Sequence, residues 1–547
     1  MPPKSFTVSG NIVDVIHRRM FQGTIQIENG KIAAIREEPT DETHYILPGL
    51  IDAHIHIESS MLIPSEFARL AVIQGTVASV SDPHEIANVL GVEGVRFMIE
   101  NGKKVPFKFF FGAPSCVPAT PFETSGAFLG IPETEELLKM TDILYLSEMM
   151  NFPGVLNDDE MVMAKLALAK KYGKPVDGHA PGLAGEDIQK YIRAGISTDH
   201  ECFTLEEAVE KAGYGMHILI REGSAARNFD ALVPLIKMFP EQVMFCSDDR
   251  HPDDLMRRHI NDILKRAISK GYDPLDAIRA ATINPVRHYG LGVGLLQPGD
   301  PADFILIDNP DSFKVLETYI DGMLVARDGK TMIDFVEEMP VNLFRAEKIS
   351  LEELAVKRLG NSLRVIEALE GQLITHQISE SATSQAEYVV SDPERDILKM
   401  AVINRYNPAP PALAFVKSFG LKNGAIASTV AHDSHNIICV GASDRDMVAA
   451  INALVDSGGG ICCAVDGHIE LLPLPVAGLM SNDNGFRVAA VYEKIDAMAR
   501  QLGSRLRSPF MTLSFMALLV IPALKLSDRG LFDGNRFEFT TLFLDQI

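Results

Sequence analysis

Pro48-Gly49-Leu50-Ile51-Asp52-Ala53-His54-Ile55-His56 is the stretch on which the reading of the fold turns. In an extended run the side chains at i and i+2 leave the same face, so His54 and His56 are placed to grip one ion together. A lone pair of this kind arises often by chance. It gains weight from further strand-like apolar runs that end in polar or reactive residues, at Asp82 and His84, Ser115, Glu148, His179, His200, Arg221 and Asp248. Counted from His56, through His84, the steps between successive ends are 28, 31, 33, 31, 21, 21 and 27 residues. Each step is about one strand plus one helix. Eight such units in succession predict a (β/α)8 barrel, whose reactive residues collect at the C-terminal ends of the strands.

The segments between these runs support helices. Asp158 to Tyr172 has apolar residues at helical spacing with Gly173 placed to end it, Leu205 to Lys211 is rich in Glu, and Leu255 to Lys270 mixes charge with periodic Ile and Leu. Outside the barrel, Phe6 to Glu37 alternates apolar and polar residues around Gly10, Gly23 and Asn29-Gly30, the pattern of short strands and tight turns. A similar pattern returns at Leu295 to Met332, so two β segments flanking the barrel are expected to pair into one small β-sandwich domain. Past about residue 345 the reactive spacing stops. Strand-like runs at Ile426 to Val430, Ile437 to Gly441 and Leu471 to Val476, with helical stretches at Arg445 to Val455 and Gly485 to Leu502, predict a separate α/β domain. The expected division is residues 1–47 and 295–345 for the β domain, 48–294 for the barrel and 346–547 for the C-terminal domain.

Composition bounds the function. A chain of 547 residues, 46% hydrophobic and 23% charged, is too long for one core and matches soluble globular proteins. Its net charge of -22, from 51 basic and 73 acidic residues, offers no footprint for nucleic acid or an anionic membrane. A small substrate fits better. The six cysteines form no CxxC pair and no secreted framework, which points to reduced thiols and a cytoplasmic protein. No signal-peptide pattern is read in Met1 to Asp14, and the uncharged run Pro509 to Leu524, interrupted by Pro522, reads as buried core rather than a membrane span.

Each candidate has a plainer reading beside it. His179 and His200 could be hydrogen-bonded core histidines, and Ser247-Asp248-Asp249 could be a helix cap or turn. Register with the His54/His56 pair argues against both, and a carboxylate at Asp248 can hold metal and exchange a proton with water. Glu148, in an otherwise apolar run, could bridge two metals or shuttle a proton. Arg221 and Ser224 are candidate substrate contacts on a Gly-containing turn, with a purely structural turn as the alternative. His84, with Asp82 and Glu85, could line the mouth or cap a helix, Glu58 could support the His pair from behind, and His432 and His435 could be a ligand or lid contribution or a surface network.

The stretch from Pro48 to His56 resembles the opening of the amidohydrolase superfamily. Ile57-Glu58-Ser59-Ser60-Met61, Asp82-Pro83-His84-Glu85-Ile86, Ser115-Cys116-Val117-Pro118-Ala119, Glu148-Met149-Met150-Asn151, Gly178-His179-Ala180-Pro181-Gly182-Leu183, and Arg221 to Asn228 are similar to the adenine deaminase family, as is Val430-Ala431-His432-Asp433-Ser434-His435-Asn436 beyond the barrel. The resemblance implies hydrolysis of adenine to hypoxanthine and ammonia. It also implies that Glu148 and Asp248 are the catalytic carboxylates, since the Glu that many related deaminases place just after the fifth-strand His is replaced here by Ala180-Pro181-Gly182-Leu183. His54, His56, His179, His200 and Asp248, with Glu148, are expected to hold a divalent metal centre, binuclear, of Mn(II) or Fe(II), with Zn(II) also suited. Hydroxide from that centre would add to C6, Glu148 would protonate N1, and Asp248 would pass a proton to the departing amine. A homo-oligomer is expected. The rival readings are an amidohydrolase acting on a cyclic amide or another aminated ring, and a non-catalytic purine-binding barrel.

Overall fold

The computed structural model describes residues 5–545; Met1 to Lys4, the start of the segment read for a leader, lie outside the described residues. Eight strands form the barrel, in order Leu50–His56, Thr76–Ser81, Lys108–Ala113, Ile143–Met149, Val176–Gly178, Thr198–Asp199, His217–Arg221 and Val243–Cys246. Successive strands pair in parallel, and the fifth is joined to the run before the sixth by a bridge between Val176 and Ile196. The barrel closes through Asp248–Asp249, which follows the eighth strand and pairs with the first, Asp248 opposite Ile55 and Asp249 opposite His56. The first strand is buried along its whole length. Gly49 opens it because a Cβ there would lie 2.4 Å from both methyl carbons of Val77 on the second strand.

Helices follow the strands, and their ends show why these residues stop and start where they do. Asp159 caps Glu160–Lys171 by accepting from the amides of Met161 and Val162, and Thr204 caps Leu205–Gly213 by accepting from Glu207 N. Gly173 takes φ 65° just past the first of these. The continuous helix read over Leu255 to Lys270 is instead two, Pro252–Arg257 and Ile260–Ser269. His259 breaks it. Its ring turns inward under the first strand, where Nε2 lies 2.8 Å from Asp52 Oδ2 and Nδ1 lies 2.7 Å from Thr76 Oγ1.

The flanking segments meet in one eight-stranded sheet. Tyr45–Pro48 lies beside Ser5–Asp14 on one side and Phe304–Ile307 on the other, joining the strands before the barrel to those after it. The chain after the barrel builds a second eight-stranded sheet, in order Thr375–Ser381, Ser362–Ala368, Ala412–Lys417, Leu398–Ile403, Ile437–Gly441, Ala425–Ser428, Gly460–Val465 and His468–Pro473. Asp444–Ser457 packs on it through Met447, Ala450, Ile451 and Leu454, and Gly485–Gln501 runs alongside. Pro509 to Leu524 is mostly buried, as a helix at Pro509–Ser514 followed by a 3-10 turn. This part of the chain is fastened to the barrel. Glu66, buried on the first barrel helix, accepts from Gly485 N at 2.7 Å and from Arg69 at 2.7 Å. The loop between Ala425–Ser428 and Ile437–Gly441 reaches over the barrel mouth. All six cysteines are buried and unpaired, and among the described residues no helix is long and apolar enough to cross a membrane.

Candidate active site

His54 and His56 leave the inner face of the first strand and bring their Nε2 atoms to 3.2 Å. Asp248 Oδ1 lies 3.6 Å from the first of these nitrogens and 3.2 Å from the second. Across the mouth, Glu148 Oε2 lies 2.8 Å from His179 Nδ1 and 3.1 Å from His200 Nε2, while its Oε1 lies 3.5 Å from His56 Nε2. All six residues are buried. Donor atoms around a common ion at roughly 2.0–2.2 Å must stand about 3–3.6 Å apart, which is the spacing of these groups. The donor set therefore fits divalent metal: His54, His56 and Asp248 form one compatible group, and Glu148 turns one oxygen to His56 and the other to His179 and His200.

The C-terminal domain roofs this cluster. Glu85, at the start of the helix after the second strand, lies 2.5 Å from His432 Nδ1 through one oxygen and 2.5 Å from His435 Nε2 through the other. His432 is stacked on Phe515, with ring centroids 4.6 Å apart and planes 13° apart. The cavity between this roof and the cluster measures about 30 Å³ and is partly open to solvent. Metal-cluster residues line its floor and Leu373, His432, Asp433, Phe515 and Leu518 its roof. A larger cavity of about 1010 Å³, bordered by Phe203, Arg227, Arg266, Leu369 and Arg507, lies outside the imidazole cluster.

The Amidohydrolase family matches residues 45–325 and the Adenine deaminase C-terminal domain matches residues 372–538. Among relatives, "Adenine deaminase" of Methanosarcina barkeri is 56% identical over 98% of this chain and 99% of its own length. Proteins of the same name from Sulfurovum sp., 56% identical over 97% of this chain and 98% of theirs, and from Salinibacter ruber, 54% identical over 99% and 100%, agree. The chain belongs to the adenine deaminase family. The metal-compatible cluster of this adenine deaminase family member therefore sits in a barrel of the amidohydrolase type, a family that generally binds divalent metal.

The charges within the cluster are mutually dependent. Burial alone would raise Glu148, but His179 and His200 hold its carboxyl well below the usual range. Burial likewise raises Asp248, and the Arg221 guanidinium, with His54 and His56, holds it well below. In the opposite sense, burial lowers His179, but the charges of Glu201 and Glu148 lift it to about 9. Without metal, then, the carboxylates are neutralised by imidazolium. A metal needs the imidazoles neutral. Loading at pH 7, below the raised His179 value, is expected to release protons to buffer. Titration calorimetry of Mn(II) in buffers of different ionisation enthalpy reads that number, and the affinity should fall as pH falls. Uptake with no proton release would contradict this account of the cluster.

Of the sequence-predicted substrate contacts, Ser224 is placed elsewhere and Arg221 is engaged by carboxylates. Ser224 does not line the cavity. Its hydroxyl donates to Asp254 at 2.9 Å and accepts from His251 N at 2.9 Å, so it organises the turn after the seventh strand. Arg221 does line the cavity, but its fork is spent on two carboxylates: Nη1 reaches Glu201 and lies 2.8 Å from Asp248 Oδ2, and Nη2 lies 2.9 Å from the other oxygen of Glu201. It holds Asp248 in place. His84 lies at the rim between the two sets of groups, with Nδ1 3.5 Å from Glu148 Oε1 and Nε2 3.9 Å from Asp433 Oδ1. Glu58 accepts from Ile86 N at 3.2 Å and supports the helix start that carries Glu85. Ser115 lies two residues past its strand and donates to the Glu148 carbonyl. Asp249 and Asp433 were missed as cavity residues. Asp249 was masked by its neighbour Asp248, and Asp433 lies in a loop nearly two hundred residues away whose approach to the barrel has no local sequence signal.

Proposed function

We propose that this chain hydrolyses adenine to hypoxanthine and ammonia, with His54, His56 and Asp248 holding one divalent ion, His179 and His200 a second, and Glu148 shared between them. The observation that carries this reading is the split of the Glu148 carboxylate, one oxygen turned to His56 and the other to His179 and His200. The imidazole and carboxylate set suits Mn(II) or Fe(II), with Zn(II) as an alternative. When bound, such an ion lowers the pKa of water towards neutrality and so makes a nucleophile available.

Proton traffic then falls to Asp248. As water adds to C6, its proton passes to the Asp248 carboxylate and from there to N1, so that charge does not build up on the ring. The proton of the new hydroxyl follows the same path to the exocyclic amine. The C–N bond breaks, ammonia leaves, and C6 becomes a carbonyl. Glu148, with one oxygen turned to His56 and the other to His179 and His200, is assigned as the shared ligand; the resemblance gives it the N1 acid role instead, and the metal content of Glu148→Gln separates the two. Arg221 keeps Asp248 ionised and aimed. The buried free thiols support a cytoplasmic enzyme, and we take it to act as a homo-oligomer.

The test is ammonia release and loss of adenine absorbance with purified protein reloaded with Mn(II). Turnover to hypoxanthine is expected. If the metal-loaded protein leaves adenine untouched, the substrate assignment fails, and cyclic amides and other aminated heterocycles become the substrates to try.

A further inference from the structure

Two residues that line the roof of the cavity each carry a buried polar atom with no hydrogen-bond partner among the described residues: His432 Nε2 and Asp433 Oδ2. Their residues are 2% and 3% exposed. Asp249 Oδ1 lies 3.9 Å from His432 Nε2, beyond hydrogen-bond reach. Leaving such groups unpaired costs about 1–3 kcal/mol each, so an arrangement of this kind calls for a ligand that satisfies both. The surroundings describe that ligand. Phe515, Leu373 and Leu518 give the roof apolar surface, and the stacked pair of His432 and Phe515 is flat.

The polar pair is complementary to one edge of a heteroaromatic base. A carboxylate oxygen can only accept, so it wants a ring N–H. Burial lowers the His432 imidazole, but the charges of Glu85 and Asp249 outweigh burial and raise it to about 9, so near neutral pH it carries N–H on both nitrogens. With Nδ1 turned to Glu85, Nε2 is left as a donor that wants a ring nitrogen. Adenine presents this donor and acceptor side by side as N9–H and N3, on the edge remote from C6. The distance also suits. Asp433 is separated from Glu148 by the width of the His84 ring, whose two nitrogens lie 3.9 Å from the one and 3.5 Å from the other.

We propose that His432 and Asp433 of the C-terminal domain form the recognition edge of the substrate site, Asp433 accepting from N9–H and His432 donating to N3. The inference rests on adenine being the substrate and adds that the C-terminal domain selects the free base. A substituent on N9 would remove the donor, leave Asp433 buried and unpaired, and press against the roof. A site built to hydrogen-bond a group rejects analogues that lack it far more strongly than an apolar pocket does.

The test uses the full-length Mn(II)-loaded protein. Binding of purine and 9-methylpurine, which lack the 6-amino group, is measured by calorimetry, and turnover of adenine and 9-methyladenine is measured separately. Wild type is expected to prefer the N9–H compound by about 100-fold or more in both. Asp433→Ala is expected to weaken purine binding by about 10- to 100-fold, to raise the KM for adenine more than it lowers kcat, and to shrink the preference below about tenfold. His432→Gln, which keeps a donor, should lose less than His432→Ala. A preference unchanged within threefold in Asp433→Ala overturns the proposal. Loss of a metal equivalent from that variant also overturns it, in favour of a ligand role through His84, Glu85 and Asp433. Intact discrimination without ammonia release upholds the recognition edge and overturns the activity reading alone.

Discussion

Glu148→Gln is expected to lower kcat/KM for adenine by more than about 100-fold and to leave the purified protein short of metal. Outer contacts to a metal site are worth about 10- to 100-fold; a group shared between both halves of the centre should exceed that. Gln has the size and shape of Glu but neither its charge nor two equivalent acceptor oxygens. It can turn its carbonyl towards His56 or towards His179 and His200, and the amide left facing the other side meets imidazole nitrogens that need a negative partner. One half of the centre therefore loses its carboxylate. Elemental analysis after gel filtration, beside a thermal scan to establish that the fold is intact, reads the result. A variant that keeps its full metal complement and is nonetheless inactive would overturn the shared-ligand assignment and return Glu148 to the proton role that family resemblance implies. A variant with ordinary activity would remove Glu148 from the site altogether.

The register of the barrel was legible because its physical cause is local and repetitive. A parallel strand buried on both faces needs a continuous apolar run, and its C-terminal end is where the chain can afford a polar residue. Hence His54, Glu148, His179, His200 and Asp248 could be aligned by counting. Two kinds of information could not. Helix continuity near His259 depends on a ring drawn inward by Asp52 and Thr76, residues about two hundred positions away, whereas Leu255 to Lys270 reads locally as one amphipathic run. The fate of a polar side chain also depends on its partners. Ser224 looks like a substrate contact until Asp254 and the amide of His251 are seen to saturate it, and Arg221 looks free until Glu201 and Asp248 are seen on its fork. The roof is the extreme case. The motif from Val430 to Asn436 was visible in the sequence, but its proximity to Glu85 is a property of how two domains dock.

The second large effect is expected at Arg221. Its guanidinium is buried between Glu201 and Asp248, which are themselves buried. Arg221→Met keeps much of the apolar stem and removes the charge, leaving two carboxylates without their cation. Breaking a buried pair in this way costs about 3–5 kcal/mol, which should appear as a clear fall in the thermal transition of the metal-free protein and a smaller fall once metal is bound to Asp248. The catalytic consequence follows from sign. In the native site burial pushes the Asp248 carboxyl up, and Arg221 is the main group that holds it well below the ordinary range, followed by His54 and His56. Removing Arg221 raises Asp248, so the carboxylate that must accept a proton from water is lost earlier as pH falls. The acid limb of the kcat profile should move to higher pH in Arg221→Met, with activity at the alkaline end reduced least. Arg221→Lys restores the charge but not the fork that serves two carboxylates, so it should recover part of the pH profile and less of the stability. Were Arg221→Met to leave both the thermal transition and the acid limb where they are in the parent, Arg221 would not be the residue that keeps Asp248 charged, and the proton path through Asp248 would need another source of positive potential.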